Sequence, residues 1–355
     1  MDRFQIDGHK LIYHVSRVSD WLADKTVYPI YMEISPSGTC NHRCTYCALD
    51  FMNYQKRWLD ADLLKERLSE LGRLGVKSVM YAGEGEPLLH QQIGGIIRHT
   101  KNSGIDVGVT SNGVLLKKEL ADQILGQVEW IKISINGATA DLYAKIHRTK
   151  PADFDLVIRN MSYAARCRDE QGYKCTLGMQ LLLLPDNYHQ AADLARLACD
   201  IGMNYLVIKP YSQHPQSKTK LYEDVKYEQY YSLADTLAGI NNDKFNVIFR
   251  MNTMIKWDEQ VHGYEQCQAL PFWSYIDSGG NVWGCSIFLG DEKFCYGNIH
   301  TQTFREIWEG EQRKLSLKWV EENLDANQCR VGCRMDKINA YLWELKHPPE
   351  HVNFI

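Results

Sequence analysis

The sequence predicts an α/β fold in which parallel strands alternate with helices and form an open sheet or a partial barrel. Six short runs rich in apolar or β-branched residues, each bounded by Gly, Asn, Asp or Pro, indicate strands. These runs are Tyr31–Ser35, Lys77–Tyr81, Asp106–Thr110, Trp130–Ile135, Thr176–Leu184 and Tyr205–Ile208. Helical patterns separate most of them, which is typical of a parallel sheet. We therefore expect functional groups at the carboxyl ends of the strands.

The composition indicates a globular protein larger than one typical domain. Its 355 residues are 45% hydrophobic and 24% charged, as expected for a chain with a sizeable core. The 40 Lys and Arg against 44 Asp and Glu give a formal charge of −4, which is not the basic footprint of a nucleic-acid binder. No apolar run approaches the roughly 18 to 20 residues of a membrane span, and the N-terminus lacks a signal-peptide pattern. We expect a cytoplasmic protein without nucleic-acid or membrane partners.

A first group of cysteines lies on the loop after the first predicted strand. Cys40, Cys44 and Cys47 follow a C-x3-C-x2-C spacing. Thiols this close in a reducing compartment can converge on one soft metal centre. Three cysteines suit a 4Fe–4S cluster that keeps one iron open for a ligand outside the protein. A zinc site of the three cysteines and His42 is the alternative, because a closed zinc site takes four ligands.

Further motifs follow the next three predicted strands. They are Gly83-Glu84-Gly85-Glu86-Pro87, Thr110-Ser111-Asn112-Gly113 and Asn136-Gly137. Together with the cysteine motif, in which Tyr46 precedes the last cysteine, they make the sequence resemble the radical S-adenosylmethionine (SAM) superfamily. The resemblance covers roughly residues 30 to 212 and, less sharply, the C-terminal third. Asn136 stands where many members of the family carry Asp.

The resemblance implies both a fold and a reaction. The fold is a partial (β/α)6 barrel, which matches the six predicted strands. Cys40, Cys44 and Cys47 would bind a 4Fe–4S cluster, and an electron from a donor such as flavodoxin or ferredoxin would cleave SAM to a 5′-deoxyadenosyl radical. That radical abstracts hydrogen from an unactivated C–H bond. Residues expected to bind SAM are Gly83, Glu84, Gly85, Glu86, Ser111, Asn112, Ser134, Asn136 and Arg148.

A second group of cysteines lies near the C-terminus and consists of Cys267, Cys285, Cys329 and Cys333. The first two flank a predicted hairpin at 275–284. This arrangement resembles the SPASM/Twitch type of extension in radical SAM enzymes, closer to the shorter Twitch form, and implies one auxiliary 4Fe–4S cluster. A zinc module with four cysteine ligands is the alternative, which the wide gap between the first two cysteines fits poorly.

These motifs divide the chain into four expected parts. Residues 1–30 are an N-terminal extension, 31–225 the radical SAM partial barrel, 226–260 a linking helix and strand, and 261–355 a small α+β Twitch/SPASM-like domain. Asp60 is expected to cap the helix after the first strand, and Asn187 the helix before the sixth.

The expected substrate is a small polar metabolite such as a sugar, an aminocyclitol or a nucleotide-linked sugar. About 30 residues precede the first strand, which is too few for a peptide-recognition domain of ordinary size. Lys209 and Tyr211 are candidate substrate contacts, and Cys295 is a possible hydrogen donor, a buried apolar residue or a substitute ligand. The enzyme would then be an oxidoreductase or an epimerase. A peptide-modifying maturase and a non-catalytic Fe–S or zinc scaffold are the alternatives.

Overall fold

A computed structural model describes residues 4–6 and 8–354. Residues 1–3, 7 and 355, which belong to the expected N-terminal extension and C-terminal domain, lie outside the described residues. All six predicted strands are present. Their observed bounds are Tyr31–Ile34 (β1), Ser78–Tyr81 (β2), Asp106–Ser111 (β3), Trp130–Ser134 (β4), Thr176–Leu183 (β5) and Tyr205–Pro210 (β6).

Each of these strands pairs in parallel with the next, which confirms the predicted fold class. The sheet also continues on both sides of the six strands. The predicted linking strand, Asn246–Phe249 (β7), pairs in parallel with β6, and Trp273–Ile276 (β8) pairs in parallel with β1. Asn281–Trp283 (β9) and Cys295–Asn298 (β10) then add antiparallel. One ten-stranded sheet in the order β10-β9-β8-β1-β2-β3-β4-β5-β6-β7 therefore joins the barrel to the C-terminal region.

Helices alternate with most of these strands along the chain. Those between Val15 and Gln171 are Val15–Leu22 (α1), Ala61–Arg73 (α2), Ile93–Asn102 (α3), Lys118–Ile124 (α4), Ala140–His147 (α5) and Pro151–Gln171 (α6). The later helices are Ala191–Asp200 (α7), Leu233–Ala238 (α8), Met251–Glu259 (α9), Phe304–Glu309 (α10), Glu311–Asn323 (α11) and Asp336–Lys346 (α12). In the described part of the chain, no helix combines the length and the apolar character needed to cross a membrane.

One of the two predicted helix caps is confirmed and the other is wrong. The Asp60 carboxylate accepts hydrogen bonds from the first backbone N–H groups of α2, as predicted. The prediction for Asn187 is wrong, because its side chain does not cap a helix. Its amide oxygen accepts from the backbone N–H of Leu184, and its amide nitrogen donates to the carbonyl oxygens of Asn136 and Leu182. Asn187 thus ties together the loops that follow β4 and β5.

The alternation of side chains along each strand divides the core from the barrel interior. On β4, Ile131 and Ile133 are fully buried in the main apolar core. Because successive side chains point to opposite faces of a sheet, Lys132 and Ser134 face the interior of the barrel. The same alternation on β6 turns Lys209 inward. The interior is therefore polar and charged, whereas the apolar core lies between sheet and helices.

Candidate active site

The first cysteine group lies on the loop that leaves the carboxyl end of β1. Its thiols are half-buried. The backbone N–H of His42 donates to the Cys40 sulfur at 3.4 Å, and the ring of His147 lies 3.5 Å from the Cys44 sulfur. Burial raises the pKa of the Cys40 thiol to about 12. These thiols become thiolates only when a metal displaces their protons, and the neighbouring donors suit sulfur atoms that carry negative charge.

The sulfur atoms of the first cysteine group do not form a compact set. Among the described residues, one group of three possible metal ligands has all of its ligand atoms within 4.8 Å of one another, and it consists of His42, Cys44 and His147. The sulfurs of Cys40, Cys44 and Cys47 are therefore spread more widely than that. Zn–S bonds of about 2.3 Å would hold the sulfurs of a tetrahedral site within about 3.8 Å of one another. In this structure the three sulfurs are thus not arranged around a single zinc ion.

The loop after β2 packs directly against the cysteine loop. A Cβ atom on Gly85 would lie 2.2 Å from the carbonyl oxygen of Ser37 and 2.5 Å from that of Thr39. The backbone N–H of Glu86 donates to the same Thr39 oxygen at 2.8 Å. Gly83 has a φ of +109°, a conformation that side chains with a Cβ rarely adopt. The glycines thus allow the two backbones to approach, and this positions the cysteines.

Glu86 connects the ends of β2 and β3. Its carboxylate accepts hydrogen bonds from the Ser111 hydroxyl at 2.7 Å, from the Asn112 backbone N–H at 2.8 Å and from the Leu88 backbone N–H at 3.0 Å. The Ser111 oxygen in turn accepts from the backbone N–H of Gly113. We expected Glu86 and Ser111 to bind SAM. In the structure their polar atoms hold these loops together.

Glu84, which we expect to bind SAM, contacts the C-terminal region. It is 2% exposed, and its carboxylate accepts from the backbone N–H of Ser278 at 2.7 Å and from the Arg57 guanidinium at 3.4 Å. Its own backbone N–H donates to the hydroxyl of Tyr275. Glu84 therefore fastens the loop after β2 to the turn between β8 and β9.

Three other residues expected at the SAM site also have different surroundings. The Asn112 side chain donates to Asn41 in the cysteine loop at 2.7 Å. The Asn136 side chain accepts from the backbone N–H of Leu182 at 2.7 Å and is buried. Arg148 is exposed and ends α5 in a left-handed conformation with φ of 46°. The hydrogen bonds of these two asparagines position the loops around the first cysteine group.

The second cysteine group surrounds one small cavity of about 30 Å³. All four predicted ligands line it, together with apolar side chains such as Leu270, Trp273 and Phe294. The Asn339 amide donates to the Cys267 sulfur at 3.6 Å, and the Met335 backbone N–H donates to the Cys333 sulfur at 3.4 Å. Within the described residues, no three of these sulfurs lie within 4.8 Å of one another. The four cysteines thus surround one enclosed space, where they could ligate a shared metal centre.

Two adjoining cavities, together called the central chamber here, connect the cysteine groups. The first, of about 290 Å³, is lined by Tyr46 and Cys47. The second, of about 390 Å³, is lined by Cys333. Lys209 and Arg330 line both cavities. The chamber therefore extends from the first cysteine loop to the second.

The chamber has a basic lining that sequence reasoning largely missed. Lys132 on β4 lines the second cavity beside Arg334, whose guanidinium pairs with Glu33 at 2.9 Å. Burial, followed by the charge of Arg334, lowers the pKa of Lys132 to about 8. Burial and the neighbouring cations lower the pKa of Lys209 well below its usual value. The available signals were a lysine inside an apolar strand and arginines next to Cys329 and Cys333.

Of the remaining candidate residues, some line the chamber and one does not. Gly83 and Tyr211 line the first cavity, although the Tyr211 hydroxyl donates to Gln213 at 2.8 Å. Cys295 begins β10, the outermost strand, and its sulfur lies 3.9 Å from the carbonyl oxygen of Gly297. Cys295 is not among the described residues that line the chamber.

Comparison with protein-family models identifies two regions. Residues 34–198 match the model of the radical SAM superfamily. Residues 267–334 match the SPASM model of an iron–sulfur cluster-binding domain. These regions contain all seven cysteines of the two groups.

Two archaeal relatives align over most of this chain. The tungsten-containing aldehyde ferredoxin oxidoreductase cofactor-modifying protein of Pyrococcus furiosus is 21% identical over 80% of this chain and 81% of its own length. The AdoMet-dependent heme synthase of Methanosarcina barkeri is 23% identical over 80% of this chain and 83% of its own. Both alignments extend beyond the barrel.

Solved structures of SuiB from Streptococcus suis share the fold. The form bound to S-adenosylmethionine has a TM-score of 0.66 and 19% identity, covering 94% of this chain and 79% of SuiB. The form bound to the precursor peptide SuiA has a TM-score of 0.64 and 19% identity, covering 84% of this chain and 69% of SuiB.

Proposed function

We propose that this chain, which belongs to the radical SAM superfamily and carries a SPASM-type C-terminal domain, oxidises a small polar molecule bound in the central chamber. The enzyme class and its cofactors, 4Fe–4S clusters and SAM, follow from the two domains. The substrate and the type of reaction are our proposal. The observation that carries it is the chamber, which is bounded at one end by Cys47 and at the other by Cys333.

We assign the first cluster to Cys40, Cys44 and Cys47 and the second to the four C-terminal cysteines. When bound, these clusters and SAM supply a 5′-deoxyadenosyl radical that takes hydrogen from carbon, together with a nearby one-electron acceptor. Electrons for the first cluster would come from a donor such as flavodoxin or ferredoxin. The protein positions the substrate and excludes competing reactions.

The chain's own residues favour oxidation over epimerisation. Oxidation would remove one hydrogen atom, which the 5′-deoxyadenosyl radical takes, and then one electron and one proton. An acceptor near the substrate would receive that electron, and a basic side chain or water would receive the proton. Cys333 lines the chamber, so the cluster that it would help to hold would lie close enough to the substrate to take that electron. Epimerisation requires a donor that returns hydrogen to the carbon. Cys295, the candidate thiol, lies on the outermost strand away from the described chamber lining.

The test of the enzyme class uses protein purified and reconstituted without oxygen. With dithionite and SAM, the wild type should form 5′-deoxyadenosine and hold about eight irons per chain, since each cluster holds four. The triple variant Cys40→Ala/Cys44→Ala/Cys47→Ala should form none and retain about four irons. About four irons in the wild type and none in the variant would remove the second cluster, and with it the proposed oxidation.

A peptide-modifying reaction is the second candidate. SuiB, which shares this fold, has been solved with its precursor peptide. A single peptide side chain would also fit into cavities of about 290 and 390 Å³.

Deuterium transfer separates the two candidates. Extract from cells grown in deuterated water is divided into a small-molecule fraction and a peptide fraction, and each is supplied to the reconstituted enzyme. Deuterium should appear in 5′-deoxyadenosine with the small-molecule fraction and persist after protease treatment of that fraction. Transfer only from the peptide fraction, abolished by protease, would support the maturase and overturn the small-molecule proposal. The triple cysteine variant controls for background labelling.

A further inference from the structure

The central chamber concentrates positive charge. Lys209 and Arg330 line both of its cavities, and Lys132 and Lys337 line the second. Lys132 comes from β4 and Lys209 from β6, whereas Arg330 lies between Cys329 and Cys333 and Lys337 on the following helix, α12. The fold therefore gathers them at one place although the whole chain has a formal charge of −4.

The described acidic groups near the chamber already have partners. Glu33 pairs with Arg334 at 2.9 Å. Asp336, which lines the second cavity, pairs with Lys256 at 2.6 Å and accepts from the Tyr264 hydroxyl. The described residues provide no carboxylate within 4.0 Å of the amino groups of Lys132, Lys209 or Lys337, nor of the Arg330 guanidinium.

Three of these cations are positioned by the fold. Lys132 and Lys209 project inward from strands of the sheet, where the backbone fixes their Cα positions. Arg330 is oriented by hydrogen bonds from its guanidinium to the hydroxyl and carbonyl oxygens of Ser212. Cations that are fixed before a ligand arrives lose little conformational freedom when it binds.

Keeping Lys132 and Lys209 protonated costs free energy, because both are buried and lie near other cations. Burial lowers the pKa of both, and the charge of each neighbouring cation lowers it further. Such a cluster of like charges is stabilised by an opposite charge that enters the chamber. A neutral sugar would leave this repulsion in place, and a cationic aminocyclitol would increase it.

We propose that the substrate carries an anionic group, a carboxylate or a phosphate, that binds between Lys132, Lys209 and Arg330. This inference rests on the proposed function, because it names the class of substrate that the chamber takes. Among the substrates expected from the sequence, it favours a phosphate-bearing compound such as a nucleotide-linked sugar. Arg330 can pair with two oxygens of either anion, and the lysines supply charge-assisted hydrogen bonds.

Calorimetric titration of the reconstituted enzyme at constant ionic strength tests this proposal. The probes are inorganic phosphate, succinate and the neutral isostere succinamide. Saturable binding of phosphate or succinate, but not of succinamide, is expected, and the better of the two anions identifies the group. Equal affinity for succinate and succinamide, or saturable binding of none of the three, would overturn the proposal without requiring any variant.

Variants then locate the site. Lys132→Met/Lys209→Met should weaken anion binding by more than about tenfold, since charge-assisted hydrogen bonds are lost. Lys314→Met, on the exposed face of α11, is the matched control and should leave binding unchanged. Equal affinity in the double variant and in the wild type would overturn the assignment.

Titration of the anion in the presence of saturating SAM distinguishes the proposed anion site from the SAM site. The proposal requires that the anion still bind when SAM is present, and competition between the two would overturn it. Failure of the wild type to form 5′-deoxyadenosine would instead contradict the proposed function while leaving the binding result intact. The two failures are therefore distinguishable.

Discussion

The Nδ1 atom of His147 lies 3.5 Å from the sulfur of Cys44. The Nε2 atom of the same ring accepts a hydrogen bond from the backbone N–H of Asn136 at 3.2 Å, so the proton of the neutral ring must be on Nδ1. Burial lowers the pKa of His147 well below its usual value, which keeps the ring neutral. The Tyr46 hydroxyl lies 3.3 Å from the same Nδ1 atom. The geometry therefore directs an N–H donor from the end of α5 towards the Cys44 sulfur and the Tyr46 hydroxyl.

We predict that His147→Leu makes the reduction potential of the SAM-binding cluster more negative. Hydrogen bonds to cluster sulfurs favour the reduced state, which carries more negative charge. A bond worth about 1.4 kcal/mol more in the reduced state corresponds to a shift of about 60 mV. A redox titration followed by the EPR signal that responds to SAM measures the shift. His147→Gln, which retains an N–H donor, should restore most of the potential, and an unchanged potential in His147→Leu would contradict the assignment.

We predict that Gly85→Ala reduces occupancy of the first cluster. The added Cβ would meet the carbonyl oxygens of Ser37 and Thr39 at 2.2 and 2.5 Å, and both belong to backbone just before Cys40. Displacing this backbone moves the cysteines, so iron should fall from about eight toward about four per chain. Gly95→Ala on α3 is the control, because no atom lies within 4 Å of its added Cβ. A Gly85→Ala variant with full iron would show that the close packing is not required.

The strands and both cysteine groups could be predicted from the sequence because they depend on local patterns. Each strand is an apolar run bounded by turn residues, and each cysteine group has a distinctive spacing. The hydrogen-bond partners of Glu84 and Asn136 could not be predicted. A motif places a carboxylate or an amide at a strand end, but Ser278 and Leu182 reach those atoms only through the tertiary fold.

The charged chamber was beyond sequence reasoning for a similar reason. The alternation of side chains along β4 places Lys132 on the face of the sheet opposite Ile131 and Ile133. It does not indicate whether that polar face is in contact with solvent or with an enclosed cavity. The ion pair between Arg334 and Glu33 connects the C-terminal segment to the first strand. Such a pair, at the two ends of the chain, has no signal in local composition.

We predict that Glu84→Ala loosens the junction between the barrel and the C-terminal region. The substitution removes the acceptor of the buried Ser278 N–H and the carboxylate beside Arg57. Leaving a buried donor unpaired costs about 1 to 3 kcal/mol. The Tm should fall by a few degrees, and hydrogen exchange should accelerate at the turn between β8 and β9. Glu321→Ala on α11 is the control, since that residue is exposed, and it should change neither quantity.

We predict that binding of an anion in the central chamber is accompanied by proton uptake near pH 8. Lys132, whose pKa is lowered to about 8, is partly deprotonated at that pH, and a bound anion raises its pKa again. The other described charges that act on Lys132 are Arg250, Arg334 and Glu33. Because the lysine must be protonated to attract the anion, affinity should fall as the pH rises from 7 to 9.

Calorimetry of succinate binding in buffers with different ionisation enthalpies measures this uptake directly. The wild type should take up a fraction of a proton per anion at pH 8 and less at pH 6.5, where Lys132 is already charged. Lys132→Met should show a smaller uptake at pH 8, while Lys314→Met should match the wild type. Equal uptake in Lys132→Met and the wild type would assign the titration to another group, and no uptake in either would mean that the anion does not bind beside Lys132.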